Sequence, residues 1–103
     1  MNEFKILKND DLELLESEIN QFLFLMDWLD RDVKYFKIYN DGTENIAFML
    51  FEPIQMTSSD YTIRKYTKVE RIKNNPQLKE KINKYIEKFI PDEKKENVKV
   101  MAE

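Results

Sequence analysis

The chain has no cysteine and no histidine, and only one glycine, among its 103 residues. Without a thiol or an imidazole there is no disulfide, no zinc site built from Cys or His, no thiol nucleophile and no triad resting on an imidazole base. The lone glycine, Gly42, excludes a dinucleotide fingerprint and a P-loop, which both wrap several glycines around phosphate. Long apolar runs are missing as well. The longest, Ile46-Ala47-Phe48-Met49-Leu50-Phe51, falls far short of the roughly 20 residues of a membrane span. No secretory pattern opens the sequence, so the expected location is the cytoplasm with no membrane partner.

What is present is charge. Charged residues make up 36% against 42% hydrophobic, the balance of a soluble globular domain with a modest core. The net charge of -3 conceals an asymmetry. Residues 1 to 33 carry three basic and nine acidic side chains, whereas residues 64 to 91 carry nine basic and three acidic. Such a split either meets a partner of mixed charge or phosphate, or is spent internally with the basic segment along the acidic one.

The pattern along the chain predicts a sequence of elements. Phe4-Lys5-Ile6-Leu7 suits a strand, and Asp10 with Glu13 has capping-box spacing for a helix. Leu12, Leu15, Ile19, Phe22, Met26 and Leu29 then step by three and four as one stripe. Leu14, Phe24, Leu25 and Trp28 fall off that stripe, so the helix carries more apolar surface than one sheet contact covers. Val33 to Tyr39 and Ile46 to Phe51 read as a hairpin around Asp41-Gly42. Phe36 and Ile38 are expected to face the helix together with Ile46, Phe48 and Leu50, leaving Tyr35, Ala47, Met49 and Phe51 on the other side. Both hairpin faces are apolar, which requires a second cover.

Thr57-Ser58-Ser59-Asp60 reads as a loop, and Tyr61 to Ile72, rich in β-branched residues and bases, as an exposed strand. Asn74-Asn75-Pro76 opens a second helix with Leu78, Ile82, Tyr85 and Phe89 as its stripe, which Pro91 stops. Val98-Lys99-Val100 offers a short edge strand. The expectation is a single small α+β domain over residues 1–91, in the order β-α-β-β-β-α, with an antiparallel sheet packed against helices. Residues 92–103 are expected to form a charged, mobile tail.

Few residues invite chemistry. Asp27, Asp30 and Asp32 are close in sequence, but they lack the glycine and terminal bidentate Glu of a calcium loop. They read as a solvated helix end. Ser58-Ser59-Asp60 has no nameable base beyond Lys65 or Lys68. The interleaving of bases with Tyr66, Tyr85 and Phe89 over residues 64 to 88 is the composition of single-strand nucleic-acid binders, yet packing accounts for the aromatics. No catalytic residue, cofactor or metal is expected.

Residues 4 to 52 resemble the short sporulation proteins of the mother-cell sigma-E programme, which are also seen on phages and mobile elements of spore-forming bacteria. The resemblance is carried by Asp11-Leu12-Glu13 leading into Glu18-Ile19-Asn20-Gln21-Phe22-Leu23, by Asp32-Val33-Lys34-Tyr35, and by Ile46 to Phe51 as a closing strand. It implies a β-α-β-β unit without enzymatic chemistry, and a phage or mobile-element accessory or inhibitor is the expected form of the protein. The expected function is therefore a non-enzymatic interaction module that occupies a host protein surface. Leu14, Phe24, Leu25 and Trp28 are its expected partner-binding residues, and a homo-oligomer is a further expected form. The alternatives are an oligomeric small-ligand binder whose Arg64, Lys65, Lys68 and Arg71 hold the phosphates of a nucleotide signal, and a nucleic-acid-binding accessory protein using residues 64–88.

Overall fold

A computed structural model describes residues 3–98. The chain is α+β, with a three-stranded antiparallel sheet and helices, and divides after Ile54 into two compact units.

The first unit comprises β1 (Glu3–Asn9), α1 (Leu12–Trp28), β2 (Arg31–Asn40) and β3 (Asn45–Pro53). The strand order is β1-β3-β2, so the chain's last strand here is the central one. Asp11, rather than Asp10, caps α1: its carboxylate accepts from the backbone N–H groups of Glu13 and Leu14, satisfying donors that the first turn leaves unpaired. Leu15, Ile19, Phe22 and Met26 are buried as the stripe requires, while Leu12 is exposed. They lie on the sheet face formed by Leu7, Ala47, Met49 and Phe51; the Phe22 and Phe51 rings meet edge-to-face at 5.6 Å. Each such large apolar side chain contributes about 1.5–3 kcal/mol by leaving water. Past α1, Asp30 takes the left-handed conformation (φ 58°) that ends many helices, and its carbonyl accepts from the N–H of Ile54 at 2.9 Å.

The hairpin register corrects the expected faces. Asn40 lies opposite Asn45, which places Ile38 opposite Ala47 and Phe36 opposite Met49. Opposed residues share a face, so Phe36 and Ile38 join Ala47, Met49 and Phe51 on the α1 side. Ile46, Phe48 and Leu50 lie on the outer side with Tyr35. The difference is one residue of slip, which turns every side chain of β3 over.

The second unit is helical: α2 (Ser58–Asn74), α3 (Pro76–Phe89) and α4 (Asp92–Val98), with α3 touching both of the others. Where a loop and a further strand were expected, Thr57 caps α2 by accepting from the N–H of Asp60 at 3.1 Å. The element order is thus β-α-β-β-α-α-α. Pro76 sits in the first turn of α3, as expected, and Ile82, Ile86 and Phe89 are its buried residues. The segment expected as tail begins with α4, where the Lys95 ammonium lies 2.9 Å from Glu87 and 2.7 Å from Asp92. Of the expected edge strand, Val98 ends α4, and Lys99 and Val100 lie outside the described residues. No helix among the described residues is long and apolar enough to cross a membrane.

Candidate functional site

The outer face of the sheet, opposite α1, leaves apolar side chains in water, as do Phe36 and Ile38 of β2 on the α1 side, although Ile46 in the outer face is buried. Three rows cross the outer face. Phe4, Leu50 and Tyr35 make the first, Ile6, Phe48 and Lys37 the second, and Lys8, Ile46 and Tyr39 the third. Phe4 is 64% exposed and Tyr35 48%, with Ile6 and Tyr39 also exposed. The rings are organised: Phe48 stacks on Phe4 at 6.0 Å and receives Tyr35 edge-on at 6.2 Å. Both are favoured aromatic arrangements, so the exposed Phe4 and Tyr35 rings are held in order against the half-buried Phe48.

A β-bulge shapes one end of this face. Val33 pairs with Phe51 and Tyr35 with Leu50, leaving Lys34 as the extra residue. Its ammonium lies 2.9 Å from Asp32 and 3.7 Å from Glu52. The hydrogen bond to Asp32, then the charges of Asp32 and Glu52, raise the Lys34 pKa above its ordinary value. The face therefore has a largely apolar centre that includes Lys37 beside Phe48, two carboxylates sharing one ammonium at one end, and Lys8 at the other, where it interacts with Asp41.

The expected partner-binding residues are dispersed by burial. Leu14 is 55% exposed and Phe24 half-buried, whereas Leu25 and Trp28 are 0% and 7% exposed. Leu14 is the most exposed of the four. The expected phosphate-binding set lies on α2, on a helix rather than a strand. At about 100° per residue, Arg64, Lys68 and Arg71 share one side of α2 and Lys65 stands apart. None of Arg64, Lys68 and Arg71 is without a partner. Tyr61, Ile63, Tyr66 and Val69 are exposed on the same helix, but they spread over about 200° of its circumference and form no single patch.

Among the described residues no cluster of three or more carboxylates could hold a metal ion, and the core contains no polar or charged side chain. Asp27, Asp30 and Asp32 straddle the exit of α1 and the start of β2 without converging, and Ser58, Ser59 and Asp60 form the first turn of α2. Sequence reasoning missed Phe4, Ile6 and Tyr39 as surface residues and placed the half-buried Phe48 on the wrong face. The available signal was the apolar character of both hairpin faces, which Tyr35 already marked on the outer side. No family model matches the chain, and no curated protein or solved structure matches it either.

Proposed function

We infer that the protein is a non-enzymatic interaction module whose binding surface is the outer face of its sheet. The observation that carries this reading is the pair of exposed rings, Phe4 and Tyr35, ordered against the half-buried Phe48 between them. Contiguous apolar patches on a soluble surface mark interaction sites, and aromatic anchors dominate their energetics. An accessory or inhibitor role on a phage or mobile element is the form of the reading we favour. The test is capture from host lysate by the full chain and by Phe4→Ser/Tyr35→Ser, with proteins identified by mass spectrometry. Both residues are exposed, so the variant stays folded, with a cost of about 1 kcal/mol or less. A protein retained by the wild type should be lost with the variant and kept with Lys65→Glu; retention indifferent to the sheet variant would sink the proposal.

A second reading has one observation in its favour: helix α2 brings Arg64, Lys68 and Arg71 to one side, the arrangement that phosphate contacts need. Their existing partners argue against it. Nucleotides and oligonucleotides at low salt should therefore leave the melting temperature unchanged, and a rise of several degrees with any of them would promote this reading over the first.

A further inference from the structure

We propose that the edge strand β2 recruits an extended segment of another protein as a fourth strand of the sheet, and that Lys37 selects an acidic residue at the centre of that segment. This surface is the rim of the sheet, separate from the outer-face reading. Tyr35 and Tyr39 lie on the outer side of β2 and Phe36 and Ile38 on the α1 side, and all four are 40–48% exposed. One strand inward, their opposite numbers in β3 are buried or half-buried on both sides. The exposure therefore belongs to the edge. A partner lying flat on either side would cover two of these residues and leave the other two in water, whereas a strand added in the plane of the sheet sets side chains beside all four.

The backbone agrees with this. β2 ends the sheet, and an edge strand presents N–H and C=O groups outward for a further strand to pair. Among the described residues, no loop or side-chain hydrogen bond reaches the backbone of residues 35–39. The stretch is bounded, because the bulge at Lys34 breaks regular pairing before Tyr35 and the turn at Asp41 and Gly42 follows Asn40. β1, the other edge, is exposed on its outer side alone.

The rows define the occupant. On the outer side Lys37 stands between Tyr35 and Tyr39, opposite Phe48 and diagonal to Leu50 and Ile46, with its ammonium 5.8 Å from the Tyr39 ring centre. No carboxylate of the described residues pairs with it. A residue set directly across from Lys37 by an incoming strand gains most if it is acidic, since opposite charges in a cross-strand pair attract and like charges repel. Apolar residues belong across from Phe36 and Ile38. The same lysine acts against a second copy: a two-fold axis centred on the exposed stretch would bring the Lys37 side chains of the two copies together. The occupant is accordingly a strand of a different chain, acidic at its centre and apolar on either side of it.

The probe is an end-capped peptide with the central sequence Thr-Val-Glu-Val-Thr, which reads alike in both directions and so serves parallel and antiparallel docking. It is titrated into the isotope-labelled full chain and followed by NMR. Binding should saturate with a Kd on the order of 0.1–1 mM, the weakness of a contact this small, and alternate amides of residues 35–39 should gain protection from hydrogen exchange. Replacing the Glu of the peptide with Lys should weaken binding about fivefold, and Lys37→Glu in the protein should reverse that preference. Phe36→Ser, at an exposed position off the outer face, should weaken binding, and Phe4→Ser should leave it unchanged.

Absence of saturable binding up to about 5 mM peptide, or binding indifferent to both charge reversals, overturns the proposal. Shifts that follow the Phe4 row and vanish with Phe4→Ser overturn it in favour of docking on the outer face, and dimerisation through β2 in sedimentation overturns it in favour of a second copy. A peptide that fails to bind, beside lysate capture that Phe4→Ser abolishes, would leave the outer-face reading standing, so the two failures are told apart.

Discussion

Asp41 does more for the hairpin than its exposed position suggests. One carboxylate oxygen accepts from the N–H and hydroxyl of Thr43 and from the N–H of Glu44, at 2.8–2.9 Å. The backbone donors of Glu44 and Thr43, then the Thr43 hydroxyl, hold its pKa down at about 2, against an ordinary 3.8. Beside it Gly42 adopts φ +101° with open space around its Cα, so a side chain there would be strained by the backbone and not by crowding. The linkage sign follows from a depressed folded pKa: the stabilisation is complete above the unfolded value near 4 and is lost as pH falls through about 2. Thermal melts of the wild type and Asp41→Asn should differ fully at about pH 5 and converge by about pH 2; a gap that persists unchanged at the acid end would count against the charge-assisted loop.

At the scale of elements, packing rewards one helix and leaves another bare. Helix α1 sets Phe22 against Phe51, near the end of the central strand, both residues being nearly inaccessible. Phe22→Ala should cost about 3–5 kcal/mol by emptying a core site. A double-mutant cycle of Phe22→Leu with Phe51→Leu should return a ring-ring coupling of about 0.5–1.5 kcal/mol; urea melts giving additive losses would show that the rings merely fill space. Helices α1 and α3 and the hairpin were legible because their apolar residues repeat at periods that burial enforces. Helix α2 was not, because Ile72 is its one buried residue and no stripe of period 3.6 was selected into it. Tyr61, Thr62, Ile63, Tyr66, Thr67 and Val69 then read as strand by composition alone. The neglected cue was local: Thr57 with Asp60 three residues on has the spacing of a helix start, and Thr57 does cap α2. The faces of β3 escaped for another reason, since loops that differ by one residue look alike in sequence while only the register decides which side is in.

For the whole molecule, the two compact units meet in sequence at Ile54 and Gln55. Ile54 is still tied by its N–H to the Asp30 carbonyl, and the next helix is capped by Thr57. The joint is thus confined to Gln55 and Met56. Lengthening it touches the internal hydrogen bonds of neither unit, and loop entropy grows slowly with length. A short Gly/Ser insertion between Gln55 and Met56 should therefore cost about 1 kcal/mol or less, with amide-exchange protection of β3 and α3 retained; collapse of protection in either unit would show that its compactness depends on the short joint. The site was half legible at this scale. The apolar residues of the second hairpin face led to the expectation of a cover over it, whereas Tyr35 and Tyr39 there are exposed; exposure is a property of the assembled chain, and the same angular reasoning that singled out Leu25 and Trp28 could not show that they end up buried.

The bulge at Lys34 also bears on how this strand tolerates changes in length. Because Lys34 is the residue without an opposite number, its removal would leave Val33 still across from Phe51 and Tyr35 still across from Leu50, with every other side chain on its present side. Removing Lys37 instead would invert one half of the strand. Within a single ten-residue strand, then, one position is a spare link and its neighbours are not. An indel at that link would alter the charge of the acidic end while leaving the aromatic rows in place.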